Sequence, residues 1–271
     1  MHCDGRDLKG VLHDMEVHEF KKPVVAITGG TEGLGYALAE VLLKNGFAAS
    51  ICARSKSNLK TTVDALGAIG PIFAHQADVS DHSSAKKWLS ATLDRFHRLD
   101  ALVHNASTIG YTPMPSLMET SPENMRQVYE VNVIAPVMLT QAALPALRKQ
   151  DRGLIVTLSS DAAIGGYPNW GVYGASKAAL DLVAKTLSAE LTDSGIHVLA
   201  VDPGDMDTNL HRLAVPGESG LEKPASSAEA LLPLFLPLFA PTEFAYPNGS
   251  RLALKHARGS SALTVVTGGE E

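Results

Sequence analysis

The feature that most constrains this chain is an alternation. Short apolar runs at 24–28, 48–53, 72–77, 101–104, 154–158 and 197–201 are separated by longer stretches with apolar residues at helical spacing. A strand with one wet face alternates polar and apolar side chains, whereas an uninterrupted apolar run has to be covered on both faces. Strands joined through helices connect by right-handed crossovers, which builds an α/β fold with a doubly wound parallel sheet. Residues 34–45 are the clearest helix: Leu34, Leu38, Val41 and Leu42 share a face, and Asn45-Gly46 ends it. A short helix over about 226–240 and a strand near 251–255 complete a sheet of about seven strands. Residues 1–22 carry scattered charge without periodicity and read as a flexible leader. That leaves 23–271 as a single domain, an ordinary size for one α/β unit.

Composition narrows the partners. Acidic residues number 29 against 23 basic, a net of −6 with no basic block. Affinity for nucleic acid rests on Lys and Arg displacing counterions, so no nucleic-acid partner is expected. The longest greasy stretch, 230–240, is interrupted by Pro233 and Pro237. It falls short of the roughly 20 apolar residues that span a bilayer, so no membrane partner is expected. The first twenty residues are charged and lack an apolar h-region. The two cysteines, Cys3 and Cys52, do not form a disulfide framework, and the expectation is a cytoplasmic protein.

Directly after the first strand comes Thr28-Gly29-Gly30-Thr31-Glu32-Gly33-Leu34-Gly35, and then the helix. A tight strand-to-helix turn needs unusual backbone angles, and side chains there would keep a pyrophosphate from the helix N-terminus. The pattern therefore reads as a dinucleotide cradle. The second strand ends Ala53-Arg54-Ser55. A carboxylate at that point binds a ribose 2′-hydroxyl, while an arginine pairs with a 2′-phosphate. Ala53 followed by Arg54 favours NADP(H) over NAD(H).

Tyr173-Gly174-Ala175-Ser176-Lys177 opens an apolar-striped helix. Residues four apart share a helix face, so phenol and ammonium point the same way. A neighbouring cation is expected to lower the phenol pKa from its usual ~10, so that Tyr173 can exchange a proton with an alcohol or carbonyl. Ser160 ends the strand at 154–158, at the edge where open α/β sheets bind ligands. Its hydroxyl can donate to a substrate oxygen, with Ser159 the competing choice.

Taken in order, these motifs resemble the short-chain dehydrogenase/reductase family, over about residues 23–256. The resemblance is to its short, single-domain, Rossmann-like branch. It implies an oxidoreductase interconverting a carbonyl and a secondary alcohol, with Tyr173 as acid or base. Lys177 would also hold the nicotinamide ribose, Ser160 would orient the substrate, and Asn132 would anchor a water in the proton relay. Gly29, Thr31, Glu32, Gly33, Leu34, Gly35, Arg54 and Ser55 would line the cofactor. So would Asp78 and Val79 at the adenine, Asn105 and Ala106 near the central strands, and Pro203, Gly204, Met206 and Thr208 at the nicotinamide. Glu32 speaks against the 2′-phosphate, since phosphate-preferring relatives often carry a basic residue there. The family's Asn-Asn-Ala-Gly reads His104-Asn105-Ala106-Ser107 here, with Ser107 in place of glycine.

The loop-like stretch 205–223, with Pro216, Gly217 and Gly220, is expected to be a lid, and Tyr167 and Trp170 to line the substrate pocket. No histidine cluster shows ligand spacing, so no metal is expected. The long helices at 123–149 and 172–192 pair subunits in similar proteins, which implies a homodimer or homotetramer. Two rival readings stay open: a nucleotide-sugar epimerase or dehydratase, and a non-catalytic NADP-binding sensor or scaffold.

Overall fold

A computed structural model describes residues 20–239, 242–257 and 260–266. Its strands are β1 (Val24–Thr28), β2 (Ala48–Ala53), β3 (Ile72–Gln76), β4 (Ala101–His104), β5 (Gly153–Leu158), β6 (Ile196–Asp202), β7 (Arg251–Ala257) and β8 (Ser260–Val265). Between them run α1 (Gly33–Lys44), α2 (Lys56–Leu66), α3 (His82–Phe96), α4 (Pro122–Tyr129), α5 (Ala135–Leu147), α6 (Gly171–Glu190), α7 (Asn209–Ala214) and α8 (Pro224–Leu231). The sheet order is β3-β2-β1-β4-β5-β6-β7-β8, parallel except for the β7–β8 pair. Chain order reverses between β1 and β4, which opens a crevice beyond the carboxyl ends of those strands.

The strands are apolar throughout because both faces are covered. Every residue of β1, β4 and β5 is buried. On one face Leu38, Leu42 and Phe47 pack with Leu231 and Phe235; on the other Trp88, Phe96, Leu102, Leu139 and Leu147 form a second core. The run Pro122–Leu147 is long and apolar enough to cross a membrane by composition alone. Its Leu139, Ala143 and Leu147 are instead part of that second core.

Three expectations change. The stretch at 226–240 is not one helix: α8 ends at Leu231 and gives way to two tight turns, Leu232–Leu234 and Leu236–Leu238. Pro233 and Pro237 lack the N–H that a continuing helix uses and crowd the preceding turn. The sheet has eight strands rather than about seven, since β8 folds back antiparallel on β7 with Leu263 opposite Leu254. Finally, the long helix is interrupted. Residues Glu130–Ile134, between α4 and α5, form a π-helical segment, a widened turn often found at functional sites. Most of the expected leader lies outside the described residues. At its end, Phe20 packs against Phe96 with ring centroids 4.9 Å apart, and its carbonyl accepts from Arg98 Nη1 at 3.0 Å.

Candidate active site

The glycine turn is held mainly by backbone. Gly29 N and Gly30 N both donate to the Cys52 carbonyl, at 2.9 and 3.2 Å, which folds the turn over the end of β2. Gly29 and Gly33 have positive φ, 69° and 55°, which side chains rarely tolerate. A Cβ on Gly35 would stand 2.3 Å from the Gly29 carbonyl oxygen, so α1 packs directly against the turn. Asn105 locks the arrangement from β4: its Nδ2 donates to Thr28 O (2.8 Å) and Gly29 O (3.0 Å). Thr28 Oγ1 in turn accepts from the N–H groups of Asn105 and Ala106. Glu32, the residue before α1, makes no side-chain cap, so no capping side chain takes up the N–H groups of the first turn. That is the local geometry an anion requires.

The other expected cofactor residues gather around this turn or end nearby strands. Arg54 is exposed, and its guanidinium has no ion-pair partner among the described residues. Ser55 caps α2 by accepting from Asn58 N. Asp78, half-buried, accepts from both the N–H and hydroxyl of Ser80, and Val79 is buried beside it. Thr208 faces the turn, its methyl 3.3 Å from where a Gly33 Cβ would lie. Its hydroxyl accepts from His211 N, and Pro203 O accepts from Ser227 Oγ. Gly204 takes a positive φ of 74°, and Met206 bridges to Glu222 across the base of the 205–223 segment.

Tyr173 and Lys177 lie on α6 and are both buried, at 7% and 3% exposure. Lys177 Nζ donates to Leu158 O at 2.7 Å and sits 5.5 Å from the centre of the Tyr173 ring. Burial draws the lysine down to about 8, against the opposing pull of Asp181 and Asp202. For Tyr173 the expected lowering is not what prevails. Burial pushes the phenol above its ordinary value, and the hydroxyls of Ser107 and Ser160 beside it pull the other way. The Ser160 Oγ donates to Asp161 Oδ1 at 3.0 Å and accepts from Ala162 N at 3.1 Å. Ser159 is buried with its Oγ unpartnered among the described residues.

Asn132 sits in the π-helical turn at 1% exposure. Its Oδ1 accepts from Thr108 N (2.9 Å) and Ser107 Oγ (3.2 Å), while its Nδ2 donates to Thr108 O (2.9 Å) and Ser176 Oγ (3.0 Å). His104, at the end of β4, bonds Thr140 Oγ1 through Nε2. Burial lowers it to about 3, so it is neutral.

Trp170 stands edge-on to Tyr173, centroids 5.5 Å apart, in a small cluster with Ile109, Ala162, Met114 and the α7 residues Leu210 and Ala214. The segment expected to be a lid thus reaches the tyrosine with apolar side chains. Tyr167 is exposed, and the neighbouring Asp161 holds its phenol above the ordinary value. A residue that sequence reasoning missed ties this side together. Arg251, at the start of β7, bonds Ser160 O (2.8 Å) and Asp181 Oδ2 (2.8 Å) and lies 3.6 Å from Asp202. Nothing in its neighbourhood along the chain signals that role.

A glycine cradle at a strand-to-helix turn and a buried Tyr/Lys pair with a serine at the next strand end share one crevice. The family model for short chain dehydrogenases matches residues 23–218. The chain is a short-chain dehydrogenase. An oxidoreductase of Thermotoga maritima is 36% identical over 186 residues, covering 68% of this dehydrogenase and 72% of that protein. A 3-ketoacyl-(acyl-carrier-protein) reductase from Brucella melitensis, solved with NADH, superposes with a TM-score of 0.77 at 26% identity. That match spans 86% of this chain and 97% of the other. An alcohol dehydrogenase from the archaeon Thermococcus sibiricus, solved with 5-hydroxy-NADP, gives 0.75 at 29% identity, over 86% and 96%. The dehydrogenase is therefore an oxidoreductase of a family that acts on small molecules with nicotinamide cofactors of either kind.

Proposed function

We propose that this dehydrogenase interconverts a carbonyl and a secondary alcohol, prefers NADP(H), and uses Tyr173 as the proton donor and acceptor. The observation that carries the reading is that Tyr173 and Lys177 are buried together on α6, with the ammonium 5.5 Å from the centre of the phenol ring. When bound, the cofactor supplies or accepts the hydride. The uncapped first turn of α1 and the tight glycines suit its pyrophosphate. Lys177 uses one N–H on Leu158 O and keeps further donors for a ribose hydroxyl.

In reduction, Ser160 donates to the carbonyl oxygen while Tyr173 gives its phenolic proton to the same oxygen as the hydride reaches carbon. In oxidation the phenolate takes the alcohol proton back. Burial holds the phenol neutral at ordinary pH, the form that reduction needs. Trp170, Ile109 and Leu210 supply an apolar wall and Asp161 with Tyr167 a polar one, so a substrate with both characters suits the crevice. The exposed Arg54, without an ion-pair partner among the described residues, supports the 2′-phosphate preference. Ile134 and Leu182, exposed on the long helices, support pairing of subunits there.

The test is turnover. Purified protein is offered NADPH or NADH with a panel of ketones and aldehydes that includes cyclohexanone, and the reverse reaction is run with the matching alcohols. NADPH oxidation with at least one carbonyl is expected, and Tyr173→Phe lowers kcat by about a thousandfold. A Tyr173→Phe enzyme with undiminished kcat removes the tyrosine from the mechanism.

A further inference from the structure

Two cations tie helix α6 to the end of β5. Lys177 Nζ donates to Leu158 O at 2.7 Å. One helical turn further along α6, Asp181 Oδ2 accepts from Arg251 Nε at 2.8 Å, and Arg251 Nη2 donates to Ser160 O at 2.8 Å. The second tie therefore reaches its carbonyl through a residue of β7. Ser160 O also accepts from Ala163 N at 3.0 Å, within the tight turn Asp161–Ala163. The Ser160 Oγ accepts from Ala162 N in the same turn, so the hydroxyl is aimed by a backbone that Arg251 holds.

Stability alone does not account for this arrangement. The side chains of Arg251 and Asp181 are only 13% and 16% exposed. Asp202 lies 3.6 Å from the same guanidinium and is equally buried. A buried ion pair gives little net stability compared with apolar side chains of the same size, because both charges must leave water. What a planar fork supplies is fixed geometry. Nε serves the helix that carries Tyr173 and Lys177, and Nη2 serves the residue at the strand end, so one rigid plane sets the spacing between them.

We propose that Arg251 is a positioning residue for the reaction: through Asp181 and the Ser160 carbonyl, it holds the Ser160 hydroxyl in line with Tyr173. Arg251 acts through Ser160 and takes no part in proton transfer. The proposal rests on the reading of Tyr173 as the acid and Ser160 as the group that orients the carbonyl.

The test is a double-mutant cycle with NADPH and the fastest carbonyl of the panel. Arg251→Met keeps an unbranched side chain and removes the fork. A misplacement of about 1 Å can cost about a hundredfold, and the smaller one expected here lowers kcat about tenfold. In a Ser160→Ala background the same change should cost less than about twofold, because no hydroxyl is left to misplace. A second readout needs no substrate. Amide exchange followed by mass spectrometry should quicken about tenfold over 161–165 in Arg251→Met and stay unchanged over 29–35. Asp181→Asn, which keeps the shape and weakens the tie, takes the place of Arg251→Met if that variant does not fold. Its loss in kcat should be smaller and should again vanish with Ser160→Ala.

A full tenfold loss in the Ser160→Ala background would mean that Arg251 acts by its charge on Asp202, and it overturns the proposal. So does a wild-type kcat in Arg251→Met, or exchange over 161–165 that does not change. Undiminished kcat in Tyr173→Phe or in Ser160→Ala overturns the parent reading instead.

Discussion

The two walls of the crevice are built differently. On the side of β1 the turn is backbone against backbone, with Gly29 and Gly30 on the Cys52 carbonyl and Gly35 against Gly29. On the side of β5 and β6 the arrangement is side chains reaching across elements: Asn132 to Ser107 and Ser176, Lys177 to Leu158, Arg251 to Ser160 and Asp181. A backbone wall tolerates few substitutions but is specified locally. A side-chain wall can be retuned residue by residue, and needs distant parts of the chain to exist.

The sharpest way to break the contrast is at Gly35. A methyl there meets the Gly29 carbonyl oxygen at 2.3 Å and Asn105 Nδ2 at 2.5 Å, and neither can yield without opening the turn. Gly35→Ala should cost about 3 kcal/mol in chemical denaturation and abolish cofactor binding measured by fluorescence. Binding of undiminished strength would show the turn to be softer than described.

On the opposite wall Arg251→Met removes a partly buried cation from Asp181 and Asp202 while preserving volume. It should cost about 2 kcal/mol and lower kcat, yet leave cofactor affinity nearly intact. Equal losses in affinity and kcat would mean that the two walls are not separable.

The third measurement is pH. Lys177 loses its proton near 8 because burial disfavours its charged form. The ammonium is the form that serves Tyr173 and the ribose, so kcat/KM for reduction should fall as pH rises through about 8, approaching tenfold per further unit. A flat profile to pH 10 would contradict it.

The smallest effect is expected at exposed Arg54. Arg54→Ala should weaken NADPH about fivefold, roughly 1 kcal/mol, and leave NADH unchanged in a binding titration.

Legibility followed the same division. Strands β1, β2 and β4 were readable to the residue because burial on both faces leaves an unbroken apolar run. The strand β8 was not, since Ser260-Ser261-Ala262 carries little apolar signal and pairs only because β7 lies beside it. The π-helical turn at Asn132 and the breaks at Pro233 and Pro237 show the two kinds of miss. The prolines stand in the sequence and break the helix by lacking an N–H, whereas nothing along the chain marks a widened turn. Arg251 reads as an ordinary strand-end cation until β7 takes its place beside β6.

Sequence alone determined the parallel sheet, the glycine turn, and the helix spacing that aligns Tyr173 with Lys177, because each depends on neighbours within a few residues. Tertiary structure decided that Ser159 is buried without a partner among the described residues, that Asn132 is tied to Ser107, Thr108 and Ser176, and that burial outweighs the neighbouring hydroxyls in setting the acidity of Tyr173. Desolvation and cross-element hydrogen bonds depend on what surrounds a group in space, and that packing is not written at any single position of the chain.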